Sequence, residues 1–154
     1  MGLVMYKVAL VGCGRIAERH SDLLGSNQIS DAQLVSVCDV DFLKAKQISK
    51  KYNINAYNDY HDMMRSEDVD IVVVLTPSGM HAEHVIDLAQ YKKHIIVEKP
   101  MALTLNDADD MIRACLDNDC RLFVVKQNRF NLPVVKLKET IDKNRFGKIN
   151  LGTV

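Results

Sequence analysis

No sign of charge dominates this chain: 20 Lys and Arg balance 20 Asp and Glu, for a formal net charge of zero. Long runs of one sign are absent as well, which removes the electrostatic footprint of a nucleic-acid binder. Any anionic ligand would have to be held by backbone amides and a few placed side chains. The four cysteines, Cys13, Cys38, Cys115 and Cys120, form no C-x-x-C pair and have no histidine at zinc spacing. A metal site is therefore not expected, and the thiols read as buried or incidental. The N-terminal segment lacks the basic stretch and apolar run of a signal peptide, and Tyr6 stands where a myristoylation start requires Ser or Thr. The expected location is the cytoplasm, with neither nucleic acid nor membrane as a partner. Internal repeats and low-complexity stretches are missing too.

What remains is 154 residues, 47% hydrophobic and 26% charged, enough for one well-packed domain. Short β-branched runs alternate with segments of helical period, the pattern of βαβ units and a parallel sheet. The runs are Tyr6 to Val11, Gln33 to Cys38, Ile71 to Leu75, His94 to Val97 and Arg121 to Val125, with Asn55 to Tyr57 as a weaker candidate. Strands covered by helices on both faces should read as continuous apolar runs, and IVVVL at 71–75 fits best. Between them, Arg15 to Leu24, Asp41 to Tyr52, Asp59 to Arg65, His81 to Gln90 and Thr104 to Asn118 carry apolar residues at three- and four-residue spacing. Thr104 with Asp107 predicts an N-cap and an acidic first turn. A further helix is predicted over Val134 to Asn144, between Pro133 and Gly147. The stretch Lys148 to Val154 reads as a strand that starts and stops.

Directly after the first strand stands Gly12-Cys13-Gly14-Arg15-Ile16-Ala17, a G-x-G-x-x-A that opens a helix. Gly12 permits the tight turn, Gly14 lets backbone approach a pyrophosphate, and Ala17 allows close packing of helix on strand. The amides of Arg15 and Ile16 would face the anion. Asp39 follows the second strand, 22 residues after Ala17, near the ~20 expected of an acid that binds the adenosine ribose. A carboxylate there accepts from ribose hydroxyls and repels a 2′-phosphate. Position 40 is Val rather than Arg, so NAD is preferred over NADP; the competing reading is that Asp39 or Asp41 merely caps the next helix. Flavin and S-adenosylmethionine lack a second signal.

Two more motifs follow in order, Thr76-Pro77-Ser78-Gly79-Met80-His81 after the Ile71 strand and Glu98-Lys99-Pro100 after the next. With the glycine loop, they make the chain from Tyr6 onward resemble the glucose-fructose oxidoreductase and inositol dehydrogenase family (Gfo/Idh/MocA). The resemblance implies a Rossmann-type doubly wound parallel sheet in the strand order 3-2-1-4-5-6. Residues 1–126 would be the dinucleotide-binding domain, and 127–154 a linker helix and first strand of a substrate domain that is otherwise missing. It implies that Lys99 lies beside the nicotinamide and the reacting sugar carbon as the catalytic residue. A lysine does proton work near neutrality only when desolvated or placed beside another cation. Glu98, Thr76 and Pro77 would belong to the cofactor site. His81 is open between ligand contact and a capping or buried structural role, and the Lys99-Pro100 bond is a candidate for the cis form. His20, His61 and His84 read as helix-surface or core-edge residues and receive no role.

The stretch Lys126-Gln127-Asn128-Arg129-Phe130-Asn131 is similar to the family segment that meets the nicotinamide amide, with Asn128 as the candidate. Together with R-F-G-K-I-N-L-G-T-V, it looks most like the subgroup that oxidises the 3-hydroxyl of UDP-N-acetylglucosaminuronate in bacterial surface-polysaccharide synthesis. The family's second catalytic group, a His preceded by an Asp, would lie beyond Val154. The resemblance thus implies an NAD-dependent oxidoreductase of a sugar or nucleotide-sugar hydroxyl, a homo-oligomer when full length, whose fragment alone binds NAD weakly and turns over little. The alternatives are a dehydrogenase of a free sugar or inositol, and a relative that senses a dinucleotide without turnover.

Overall fold

A computed structural model describes residues 5–152. Six parallel strands form one sheet, in chain order β1 (Tyr6–Val11), β2 (Ala32–Cys38), β3 (Asn55–Tyr57), β4 (Ile71–Val74), β5 (His94–Val97) and β6 (Leu122–Val124). Their spatial order is β3-β2-β1-β4-β5-β6, the Rossmann order that the family resemblance implies. Crossovers are made by α1 (Arg15–Gly25), α2 (Phe42–Tyr52), α3 (Tyr60–Ser66), α4 (His81–Ala89) and α5 (Leu105–Asp117), and α6 (Leu132–Asp142) follows the last strand.

Alternation along the strands sends side chains to both faces, and each face has its own core. Val8, Leu10, Val37 and Val73 meet Ala17 and Leu24 of α1 and Ala45 of α2. Ala9, Val11, Val72, Val74, Ile95 and Val97 meet Met63, Val85, Leu88, Met111 and Cys115 on the opposite side. Because helices cover both faces, the central strands can be apolar throughout, as at Val72, Val73 and Val74, all at most 2% exposed. The register of β1 on β2 slips once, between Val8 and Ala9. Beyond the slip the two strands stay paired to Val11 and Cys38, so their last residues end side by side.

The helix starts follow local chemistry. Asp41 caps α2 by accepting from the Leu43 amide, Asp59 caps α3 from His61 and Asp62, and Thr104 caps α5 from Asp107 at 3.1 Å. The cap of α2 is thus Asp41, which leaves Asp39 free of that duty. Helix α6 begins two residues earlier than the periodicity suggests because Pro133 fits the first turn, where its missing N–H costs nothing. None of its residues is buried. The strand expected over Lys148 to Val154 is not formed in its described part: Lys148 to Gly152 are irregular and exposed, with no neighbouring strand to complete a ladder. Thr153 and Val154 lie outside the described residues.

Gly12 decides how closely β1 approaches β4. It sits at φ +97°, and a Cβ built on it would lie 2.8 Å from both the Leu75 carbonyl carbon and the Thr76 nitrogen. Both the dihedral and the gap demand glycine. Gly12→Ala is accordingly expected to destabilise the fold by at least about 3 kcal/mol, read by urea denaturation; a loss below about 1 kcal/mol would contradict this packing.

Candidate cofactor site

Open α/β sheets bind ligands beyond the carboxyl ends of their strands, where the order reverses. Here that point lies between β1 and β4, and a cleft of about 590 Å³ opens there. Its walls include Gly12, Gly14, Asp39, Val40, Lys44, Thr76, Pro77 and His84. A second cleft of about 430 Å³, between α1 and α2, shares Gly14 and Lys44 and adds Arg15.

Gly14 precedes α1 in extended conformation, with no side chain capping the helix. Unlike Gly12, it has open space where a Cβ would point. Within the chain nothing requires glycine at this position, whereas an anion seated against the first turn of α1 would. Arg15 and Ile16 are exposed at that turn, and the first bond that closes it is from the Ala17 amide to the Gly14 carbonyl at 3.0 Å. The helix dipole and unused amides of such a terminus attract a diphosphate.

Asp39 holds the loop in place. Its Oδ2 accepts from the Cys13 amide at 2.7 Å and its Oδ1 from the Asp41 amide at 2.9 Å. Each oxygen keeps a second lone pair for a ribose hydroxyl. Cys13 and Cys38 flank this carboxylate, and burial pushes both thiols up to about 12, reinforced by Asp39 at Cys13 and by Asp59 and then Asp39 at Cys38. They are therefore neutral packing groups rather than nucleophiles. All four cysteines are buried and unpaired by disulfide, as the sequence suggests. Lys44, on the first turn of α2, brings a cation to the same rim, with Nζ 3.5 Å from Asp41 Oδ2. Position 40, beside Asp39, is Val, and the cation of this rim stands one turn further on, at Lys44.

The histidines hold places that the spacing around them does not name. His81, the first residue of α4, is 1% exposed, and its two ring nitrogens lie against the backbone carbonyls of Thr76 (2.9 Å) and Pro100 (2.8 Å). It is a strut between the end of β4 and the E-K-P loop, and it does not line the cleft. His84, which was given no role, does line the cleft; its Nδ1 is 2.9 Å from the Thr76 hydroxyl. His61 also lines it, bound to Asp87 at 3.0 Å and to the Tyr91 hydroxyl at 2.6 Å. His20, also given no role, lies with Nε2 2.9 Å from Glu98 Oε1. Glu98 itself is 8% exposed, and its other oxygen accepts from the Lys99 amide at 3.1 Å.

Lys99 is exposed beyond β5, its peptide bond to Pro100 is cis, and its Nζ forms no hydrogen bond or ion pair among the described residues. Asn128 sits on an exposed turn after β6, where its Oδ1 accepts from the Asn131 amide group at 3.3 Å. The structure thus brings Gly12, Gly14, Asp39, Thr76 and Pro77 to one cleft, places Arg15 in the second cleft and Ile16 exposed on the first turn of α1, and has His81, Glu98 and Asn128 line neither cleft. No helix among the described residues is long and apolar enough to cross a membrane.

Comparison with known proteins agrees with this geometry. The model of the Gfo/Idh/MocA group, described as "Oxidoreductase family, NAD-binding Rossmann fold", matches residues 6–126. The chain belongs to this family. It is 34% identical to the myo-inositol 2-dehydrogenase of Thermotoga maritima over 143 residues, covering 92% of this chain and 42% of that protein. The crystal structure of the WlbA dehydrogenase from Bordetella pertussis, in complex with NADH and UDP-GlcNAcA, superposes with a TM-score of 0.87 at 35% identity, over 94% of this chain and 44% of the other. Myo-inositol 2-dehydrogenase from Lactobacillus plantarum gives 0.86 at 25% identity, over 94% and 43%. The chain spans less than half the length of these relatives.

Two expectations follow from the site. Gly14→Ala should leave thermal stability near wild type, since its Cβ meets nothing within 4 Å, while weakening nucleotide binding by about tenfold or more in calorimetry; loss of both together would mean that the fold, and not a ligand, needs glycine there. The second concerns His84, whose ring burial holds below the ordinary histidine value of 6.5, with His81 adding to the shift and Glu83 and Asp87 opposing it. In the folded chain it stays neutral where the unfolded chain already takes a proton. Its contribution to stability is complete above pH 6.5 and is lost as pH falls from there through the lower folded value. Urea midpoints of His84→Gln should consequently fall less steeply below pH 6.5 than those of wild type; parallel curves would refute the assignment.

Proposed function

We propose that this chain is the cofactor-binding half of an NAD-dependent dehydrogenase that oxidises a hydroxyl of a sugar or nucleotide sugar. The observation that carries the reading is the space at Gly14: a vacant Cβ position, an uncapped helix terminus and a carboxylate 2.7 Å from the loop, all in one cleft. In this assignment the first-turn amides of α1 hold the diphosphate, Asp39 the adenosine ribose, and Thr76 and Pro77 the wall opposite.

Bound NAD supplies the hydride acceptor. The chain's own share is to hold the substrate hydroxyl and handle its proton. Lys99 takes that role, since it alone of the E-K-P group leaves its charged end free while its backbone is tied to Glu98. A partner group for the proton, and the residues that read the substrate, would come from sequence beyond this chain, as its coverage of 42–44% of the relatives suggests. Residues 127–154 serve in this reading as the passage into that second domain. A homo-oligomer fits the complete protein.

For the substrate, the 35% identity to a dehydrogenase crystallised with UDP-GlcNAcA favours a UDP-N-acetylhexosaminuronate, and this reading places the oxidised hydroxyl at C3. The 34% identity to a myo-inositol dehydrogenase supports a second reading, a free cyclitol.

Calorimetry of the chain with NAD and NADP tests the cofactor assignment. NAD should bind at least about tenfold more tightly than NADP, because a charged acceptor for ribose hydroxyls is worth roughly 1.5–3 kcal/mol. Asp39→Asn should weaken NAD and, with Lys44 left on the rim, strengthen NADP. Tighter binding of NADP by the unaltered chain would overturn the role of Asp39. Reduction of NAD by the full-length protein, offered a UDP-hexosaminuronate and myo-inositol in parallel, separates the two substrates, and Lys99→Ala should lower that turnover by about 10²-fold or more.

A further inference from the structure

We infer that His20 is a positioning residue for the nicotinamide half of the site, acting through Glu98. The inference rests on the cofactor reading above and extends it to a side chain that touches neither cleft.

Side chains alternate along a strand, so Glu98 leaves β5 on the face of Ile96, which packs in the core beneath α1 and α2. There its side chain is 11% exposed, and a buried carboxylate is tolerated only with hydrogen-bonding partners. It has one on each oxygen: His20 Nε2 at 2.9 Å from Oε1, and the Lys99 amide at 3.1 Å from Oε2. Two anchors on opposite oxygens fix both the position and the plane of the group. The unused lone pairs remain available for a sugar hydroxyl.

His20 lies on α1, the helix whose first turn faces the anion site. Glu98 lies beyond β5, which is separated from β1 by β4. The His20–Glu98 pair therefore bridges two parts of the binding edge that share no strand ladder: the helix that takes the diphosphate and the loop that carries Lys99. Without the imidazole, Glu98 keeps only the Lys99 amide, and nothing holds its plane against rotation. The adenosine and diphosphate portion, bounded by Gly14 and Asp39, does not depend on this contact.

That separation supplies the test. The chain is titrated calorimetrically with NAD, which would reach the Glu98 end, and with ADP, which ends at the diphosphate. His20→Leu is expected to weaken NAD about tenfold and ADP by less than about twofold, while His20→Gln, whose amide N–H has similar reach, restores NAD to within about threefold of wild type. Should His20→Leu not fold, His20→Asn replaces it, since its shorter amide falls short of Glu98 and should behave as Leu does. Equal losses for NAD and ADP, an unchanged NAD affinity in His20→Leu, or failure of Gln to rescue would each overturn the inference. If the wild-type chain binds neither ligand, the cofactor reading itself falls and the inference with it; if it binds both and His20→Leu is silent, only the role of His20 is lost.

Discussion

Where β1 and β4 end, the Cα of Gly12 stands so near the Leu75–Thr76 peptide that no side chain fits between them. The chain passes this point at a positive φ and turns into the glycine loop, with the Gly12 amide on the Cys38 carbonyl and the Leu75 amide on that of Val11. These bonds carry the sheet pairing one residue past the assigned strands, so three strand ends finish level with one another. Helix α1 starts from that level edge, and the direction of its first turn is set by it. A wider gap would move the helix terminus relative to Asp39 and Thr76, and the cleft would lose its common floor.

On that edge, the loops are tied mostly by side chains reaching to backbone. Asp39 takes the Cys13 and Asp41 amides, His81 joins the carbonyls of Thr76 and Pro100, and Glu98 takes the Lys99 amide. Each tie uses a buried or half-buried polar group, where the absence of competing water makes a satisfied hydrogen bond count for more. Preorganisation of this kind reduces what a ligand must order on binding. It also explains how a loop-built site can be precise: the glycine loop is tied to the end of β2 through Asp39, and the Thr76 and E-K-P loops are tied together through His81.

Periodicity and punctuation made the strands, the crossover helices, the glycine loop, Asp39 and the Thr104 cap legible in the amino-acid sequence. Such signals are local, and each rests on residues within one element or one turn. The partners of His20, His81 and His84 lie on elements whose relative placement depends on register and helix packing. His20 meets a residue 78 positions away, and nothing in the spacing around it names that residue. Lys44 was missed for a similar reason, since whether a cation on the first turn of α2 faces the cleft or the solvent depends on how the helix is rotated. The strand read at Lys148 carries the right residues, but a strand exists only with a neighbour, and periodicity does not supply one.

The strand order also has a bearing on how the molecule comes into being. Reading outward from β1, each strand pairs with one that precedes it in the chain: β2 with β1, β3 with β2, β4 with β1, β5 with β4 and β6 with β5. During synthesis, which delivers the N-terminus first, no strand has to wait for a partner still inside the ribosome. The sheet can therefore grow by accretion, first toward one side and then toward the other. The pairing widest in sequence is that of β4 with β1, where Val8 meets Ile71, and that same step closes the backbone gap at Gly12.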